Sequence, residues 1–150
     1  MGDNMTHVCA SVIVIDPVEY KILLVHHKKL KKWVQPGGHI EEHEDPESAA
    51  IREVYEETGL EIELLGERFP TAHDFIRPLG IQRTVKENQD VYISIIYPGI
   101  PRYEKRVELN WEESNSIGWF TREELNHIDV FDDILVSYDY VIKHYFNKTN

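Results

Sequence analysis

The sequence has one cysteine, no long apolar run and a shortage of positive charge. The single thiol, Cys9, cannot close an internal disulfide, so a reducing environment is allowed. Its place in an apolar stretch reads as a small buried side chain. No stretch approaches the length of a membrane-spanning helix, and residues 1–7 have neither the basic start nor the apolar centre of a signal peptide. A cytoplasmic protein with no membrane partner is expected. The first six residues satisfy the loose myristoylation pattern, which is too short to carry weight. Against 27 Asp and Glu there are 16 Lys and Arg, a net charge of −11. A polyphosphate backbone is repelled by such a chain unless its positive charges are concentrated locally, so general nucleic-acid binding is disfavoured.

At 150 residues, with 41% hydrophobic and 29% charged side chains, the composition is that of one globular domain spanning 1–150. No internal repeat or low-complexity segment is present. The acidity is uneven: residues 38–63 hold ten carboxylates and one base, Arg52, and so carry −9 of the −11. Such a cluster is either a solvated face or a cation site.

Residues 8–15, rich in Val and Ile without alternation, read as a strand covered on both faces. After a turn at Asp16-Pro17, residues 20–26 read as its partner in an antiparallel hairpin. The densest positive patch follows, from His26 to Lys32, then Trp33 and a breaker at Pro36-Gly37-Gly38 expected to form a tight turn. Asp45 before Pro46, with Gly59 after Thr58, marks a helix over 46–58. Strands are expected at 61–65 and 90–97, separated by a long irregular segment, 66–89, that suits substrate recognition. A short strand at 117–120 leads into a capping box, Thr121 to Glu124, opening a helix to about 128. A last helix over 132–146 carries Ile134, Leu135, Tyr138, Val141, Ile142 and Tyr145 on one stripe. This order predicts an α+β fold with a mixed sheet between helical layers.

On the helix over 46–58, Ala50, Ile51, Val54 and Thr58 fall on one arc that can pack on a sheet. Glu53, Glu56 and Glu57 share an arc beside it. Like charges at these spacings destabilise a helix by a few tenths of a kcal/mol per pair, and Arg52 offsets only part of this. A hard divalent cation with oxygen ligands answers the need, as does a solvated acidic face.

Gly38, Glu44, Arg52, Glu53, Val54, Glu56, Glu57, Gly59 and Leu60 fit the pattern G-x5-E-x7-R-E-U-x-E-E-x-G-U, where U is a bulky aliphatic residue. This resembles the Nudix box of the Nudix hydrolases, with every fixed position filled. Seven fixed residues would match by chance with a probability on the order of 10⁻⁸ or less per start position. The box covers residues 38–60, and the flanking strands, Pro36-Gly37 and Trp119-Phe120 before a helix also look like that family.

The resemblance implies an α/β/α sandwich with a loop-helix-loop metal site, and hydrolysis of a nucleoside diphosphate linked to another group. Water attacks in line at phosphorus, phosphate charge is neutralised and a base takes the proton. It carries over Glu53, Glu56 and Glu57 as ligands of Mg²⁺ or Mn²⁺, with the Gly37 carbonyl as a further ligand. Arg52 orients the glutamates, and Gly38, Glu44 and Gly59 shape the motif. Glu53 and Glu113 are both candidates for the base, with Glu112 as the neighbour of the latter. Lys32 and the rest of its patch, with Arg77, Arg83 and Lys86, can attract an anionic substrate, and Trp33, Phe75 and Tyr92 can stack on a base or fill the core. His39 and His43 bracket the box without a complete tetrahedral zinc set. The substrate is a small phosphorylated nucleotide: a nucleotide-sugar, a nucleoside triphosphate, a dinucleoside polyphosphate or a capped RNA end. The rivals are a non-catalytic Nudix-fold binding module and an isopentenyl diphosphate isomerase, which needs a cysteine near its active site. A homodimer is common among similar proteins.

Overall fold

The computed structural model describes residues 3–68, 70–71 and 74–146. The myristoylation pattern begins at Met1-Gly2, outside the described residues, as do residues 69, 72 and 73 of the long segment. In chain order the elements are β1 (Thr6–Val14), β2 (Ile22–His27), β3 (Trp33–Val34), β4 (Gly37–His39), α1 (Pro46–Thr58), β5 (Ile62–Leu64), β6 (Gly80–Val85), β7 (Val91–Pro101), β8 (Ser114–Phe120), a 3-10 turn (Glu124–His127) and α2 (Asp132–Tyr145).

The expected β1–β2 hairpin is not what forms. β1 is flanked by β4, antiparallel, and by β7, parallel, while β2 lies between β3 and β8 in a separate antiparallel sheet. The two arms are joined by a bridge from Ile15 to Ile22 and by the Asp16 N–H on the Lys21 carbonyl. The second half of β1 and the first four residues of β2 are buried on both faces, so their apolar pattern says nothing about who pairs with whom. The turn itself is as expected. Asp16 accepts from the Val18 and Glu19 N–H groups at 3.1 and 3.0 Å, and Tyr20, at φ 57°, redirects the chain.

Alternate residues of β1 feed two cores. Ala10, Val12 and Val14 meet Ala49, Ala50 and Val54 of α1, with Leu60, Ile62, Leu64 and Tyr97. Ile13 and Ile15 meet Ile134, Tyr138 and Val141 of α2, with Ile22, Leu24, Ile96 and Leu125. The mixed sheet thus lies between two helices, as the sequence predicts, and the α2 stripe closes one side.

Three further expectations change. The segment 66–89 is only partly irregular: β6 pairs antiparallel with β7 from Gly80↔Ile96 to Val85↔Val91, closed by a turn in which Lys86 N–H donates to the Asp90 carbonyl. This edge strand is largely exposed, so it lacks the apolar signal of a buried one. The capping box forms, Glu124 N–H on Thr121 Oγ1 at 3.1 Å and Thr121 N–H on Glu124 Oε1 at 2.8 Å. It opens only the 3-10 turn, because Asp129 and Val130 are drawn alongside Trp33. On α1, Ile51 is 39% exposed, and Ala49, Ala50, Val54 and Thr58 take the buried face.

Candidate metal centre and cleft

α1 begins where Asp45 Oδ1 accepts from Ser48 N–H at 2.8 Å with proline at the first turn, and ends where Gly59 adopts φ 71° and donates to the Tyr55 carbonyl. These two stops leave Arg52, Glu53, Glu56 and Glu57 on its last two turns. Arg52 then organises the acidic side. Its Nε and Nη2 donate to the two carboxylate oxygens of Glu44 at 2.6 and 2.8 Å, its Nη1 to Glu56 Oε1 at 2.6 Å and Glu53 Oε2 at 3.2 Å, and its Nη2 also to the His39 carbonyl. The Arg52 hydrogen bonds hold the Glu44 carboxyl down at about 2. Glu44 also accepts from Glu41 N–H, which ties the loop before the helix.

The expected tight turn at Pro36-Gly37-Gly38 is instead strand β4, and its glycines are needed for close approach. A Cβ on Gly37 would lie 2.5 Å from the Ala10 carbonyl oxygen and from Ser11 Cβ. One on Gly38 would lie 2.4–2.6 Å from the Glu53 carboxylate. Because β4 has no side chains here, Glu53 lies across it, and Gly37 N–H donates to Glu57 Oε1 at 2.8 Å.

Glu53, Glu57 and Glu113 bring one carboxylate oxygen each to within 4.8 Å of one another. Glu57 is 6% exposed. Burial pushes its carboxyl up to about 8, against the help of the Gly37 N–H and with added repulsion from Glu113, Glu53 and Glu56. Burial also raises Glu53, with the Arg52 guanidinium opposing it. Glu113 arrives from the bend before β8, where its own N–H and that of Ser114 donate to the Asn110 carbonyl. Glu56 stands apart, its side chain 47% exposed and paired with Arg52.

The trio opens into a cleft of about 750 Å³ whose lining includes Lys28, Lys29, Lys86, Tyr92 and Glu112. Lys28 Nζ donates to the Trp111 carbonyl, tying the basic loop to the Glu113 bend. Of the cations expected to meet substrate, Lys32 instead pairs with Asp129 and lies over the Phe131 ring. Arg83 sits on β6 outside the lining, and Arg77 lines a separate cavity of about 550 Å³ with Tyr140 and His144. Trp33 is packed edge-on against Phe120. His43 is exposed, and His39 hydrogen-bonds His7; neither belongs to a metal-holding group among the described residues. Cys9, expected in the core, is half-buried on the cleft wall, where burial and Glu53 raise its thiol pKa. His7 and Asp90 carry no sequence signal for the site: 83 residues apart, they meet only because β1 and β7 pair.

Known proteins resemble this chain over most of its length. The mouse diphosphoinositol polyphosphate phosphohydrolase 3-alpha is 33% identical over 115 residues, 71% of this chain and 58% of that protein. The human diphosphoinositol polyphosphate phosphohydrolase 2 is 31% identical over 111 residues, 71% of this chain and 52% of that protein. The chain thus spans somewhat more than half the length of these curated relatives. A crystal structure of a NUDIX-family hydrolase from Clostridium perfringens superposes with a TM-score of 0.78 at 27% identity, covering 91% of this chain and 96% of that one. The NUDIX domain model matches residues 5–140, and with the filled box on α1 and the glutamates it gathers, the chain belongs to the NUDIX domain family.

Proposed function

We propose that the chain hydrolyses a phosphoanhydride bond by attack of water at phosphorus, with Mg²⁺ or Mn²⁺ held by Glu53, Glu57 and Glu113. The observation that carries this reading is the convergence of those three carboxylates, one of them buried, in the lining of a cleft that also includes Lys28, Lys29 and Lys86. The donor set suits a hard divalent cation: every ligand atom is oxygen, and among the described residues the ion pair of the trio is that of Arg52 with Glu53. Such an ion supplies charge neutralisation on the phosphate oxygens and lowers the pKa of bound water.

The remaining roles fall to the chain. Glu57, fixed by Gly37 N–H, is the anchoring ligand. Glu53 and Glu113 share the task of ligand and of base for the attacking water, since both reach the same point. Glu56 serves as the outer partner of Arg52, which holds the row of glutamates in place while Glu44 holds Arg52. Lys28, Lys29 and Lys86 attract the phosphates.

The substrate is a phosphorylated small molecule. Both a nucleoside diphosphate linked to another group and a diphosphoinositol polyphosphate, the substrate named for the curated relatives, contain the required bond. The deciding assay incubates the protein with Mg²⁺ or Mn²⁺ and a panel of nucleotide-sugars, dinucleoside polyphosphates, nucleoside triphosphates and diphosphoinositol polyphosphates, with products identified. Turnover of at least one, lost in Glu57→Gln, is the expected result. Binding without turnover across the panel would replace this reading with that of a binding module, and full activity in Glu57→Gln would show the metal site to be wrongly placed.

A further inference from the structure

Beside the carboxylates, the cleft lining includes Tyr92 and Lys86. Tyr92 sits on β7 between neighbours from two strands. From β1, the His7 ring stacks on it with centroids 4.3 Å apart and planes 10° from parallel. From beyond the end of β6, the Lys86 ammonium lies 5.2 Å from the ring centroid. Because β1 and β6 pair with opposite edges of β7, these partners take opposite faces of the phenol ring.

His7 is itself held. Its Nε2 lies 3.0 Å from Asp90 Oδ2 and its Nδ1 lies 3.0 Å from His39 Nε2, while Asp90 Oδ1 accepts from Met5 N–H. A carboxylate only accepts, so His7 donates through Nε2 to Asp90. Asp90, His7 and His39 thus lock the imidazole stack against Tyr92.

A nucleobase held by stacking needs an open aromatic face. Tyr92 is the one Phe, Tyr or Trp in the described lining, and both of its faces are taken. Trp111 is 69% exposed but lies outside the lining. The lining instead presents the Lys86 ammonium, together with Lys28 and Lys29.

We propose that this wall is a subsite for a phosphoryl group remote from the bond that is cleaved, with Lys86 as its specificity residue, so that the cleft selects compact substrates bearing several phosphates over those recognised through a nucleobase. This rests on the phosphoanhydride reading and narrows it. The test uses carbon-bridged probes that contain no anhydride, so binding is read without hydrolysis. Calorimetry in excess Mg²⁺ compares methylenediphosphonate with the same unit extended by adenosine, as α,β-methylene-ADP, or by a third phosphoryl group, as the bis-methylene analogue of triphosphate. The added phosphoryl group is expected to tighten binding about tenfold and adenosine to change it by less than about threefold. Lys86→Ala, shown folded by an unchanged melting curve, loses the phosphoryl gain, and Lys86→Arg keeps it. A tenfold gain from adenosine, or a phosphoryl gain that survives Lys86→Ala, overturns the subsite while leaving hydrolysis standing. Failure of every probe to bind would sink the phosphoanhydride reading itself, and this one with it.

Discussion

Arg52 and Glu44, eight residues apart, meet as a two-pronged pair, with Nε and Nη2 donating to separate oxygens at 2.6 and 2.8 Å. The planar guanidinium fork makes both bonds and still has Nη1 left for Glu56 and Glu53. Arg52 is therefore the strut between the loop and the glutamates of α1. Arg52→Lys, which keeps charge but loses the fork, is expected to lower kcat about 10–100-fold with divalent-metal affinity falling in parallel. Steady-state rates against Mn²⁺ concentration check this, and unchanged metal dependence would relegate Arg52 to surface charge.

Without metal, Glu57 makes stability depend on pH. Its folded-state pKa, about 8, lies above the ordinary carboxylate value. Between about pH 4.5 and 8 the folded protein therefore holds a proton that the unfolded chain has released, and its contribution to stability is lost as pH rises through about 8. The loss is on the order of 4 kcal/mol across that window. Melting curves in chelator should show Tm falling from pH 5 to 9, recovery with Mg²⁺, and a flatter profile for Glu57→Gln. A Tm that rises over the same range would contradict the burial of this carboxylate.

The two glycines of β4 should fail differently. Gly37→Ala drives a Cβ into the backbone of β1, which cannot yield cheaply, and is expected to cost about 1–3 kcal/mol of stability. Gly38→Ala meets a side chain, the Glu53 carboxylate, which can swing away. It should therefore keep most of its Tm and lose most of its activity. Denaturant midpoints and turnover measured on both variants separate the two effects.

The face α1 buries is tested by a pair of aliphatic truncations. Val54→Ala removes a fully buried group from the α1 core and should cost about 2 kcal/mol. Ile51→Ala, at a 39% exposed site, should cost less than about 1 kcal/mol. Chemical unfolding that ranks Ile51 above Val54 would mean that α1 is rotated from the orientation described.

Some of this was readable from the sequence because its causes are local. Asp45-Pro46 and Gly59 set both ends of α1, and the 3.6-residue period put Arg52, Glu53, Glu56 and Glu57 on neighbouring arcs. The Thr121 to Glu124 box and the α2 stripe were legible for the same reason, as was the resemblance carried by residues 38–60. Strand pairing was not: β1 and β2, apolar on both faces, carry no mark of their partners, and the exposed β6 carries no apolar signal at all. The roles within the site divided likewise. Helical spacing made Glu56 equivalent to its neighbours, yet packing turned Glu57 inward and left Glu56 outside with Arg52, while Glu113 was brought in from more than fifty residues away. Sign alone makes the whole patch from Lys28 to Lys32, Arg77, Arg83 and Lys86 equal candidates to face substrate, and only the folded chain separates them, putting Lys28, Lys29 and Lys86 at the cleft and Lys32 against Asp129. The scarcity of positive charge belonged to the sequence. Where the few cations stand, and that an Asp–His–His chain braces the wall beside one of them, depended on contacts between residues distant along the chain, which only the tertiary structure could decide.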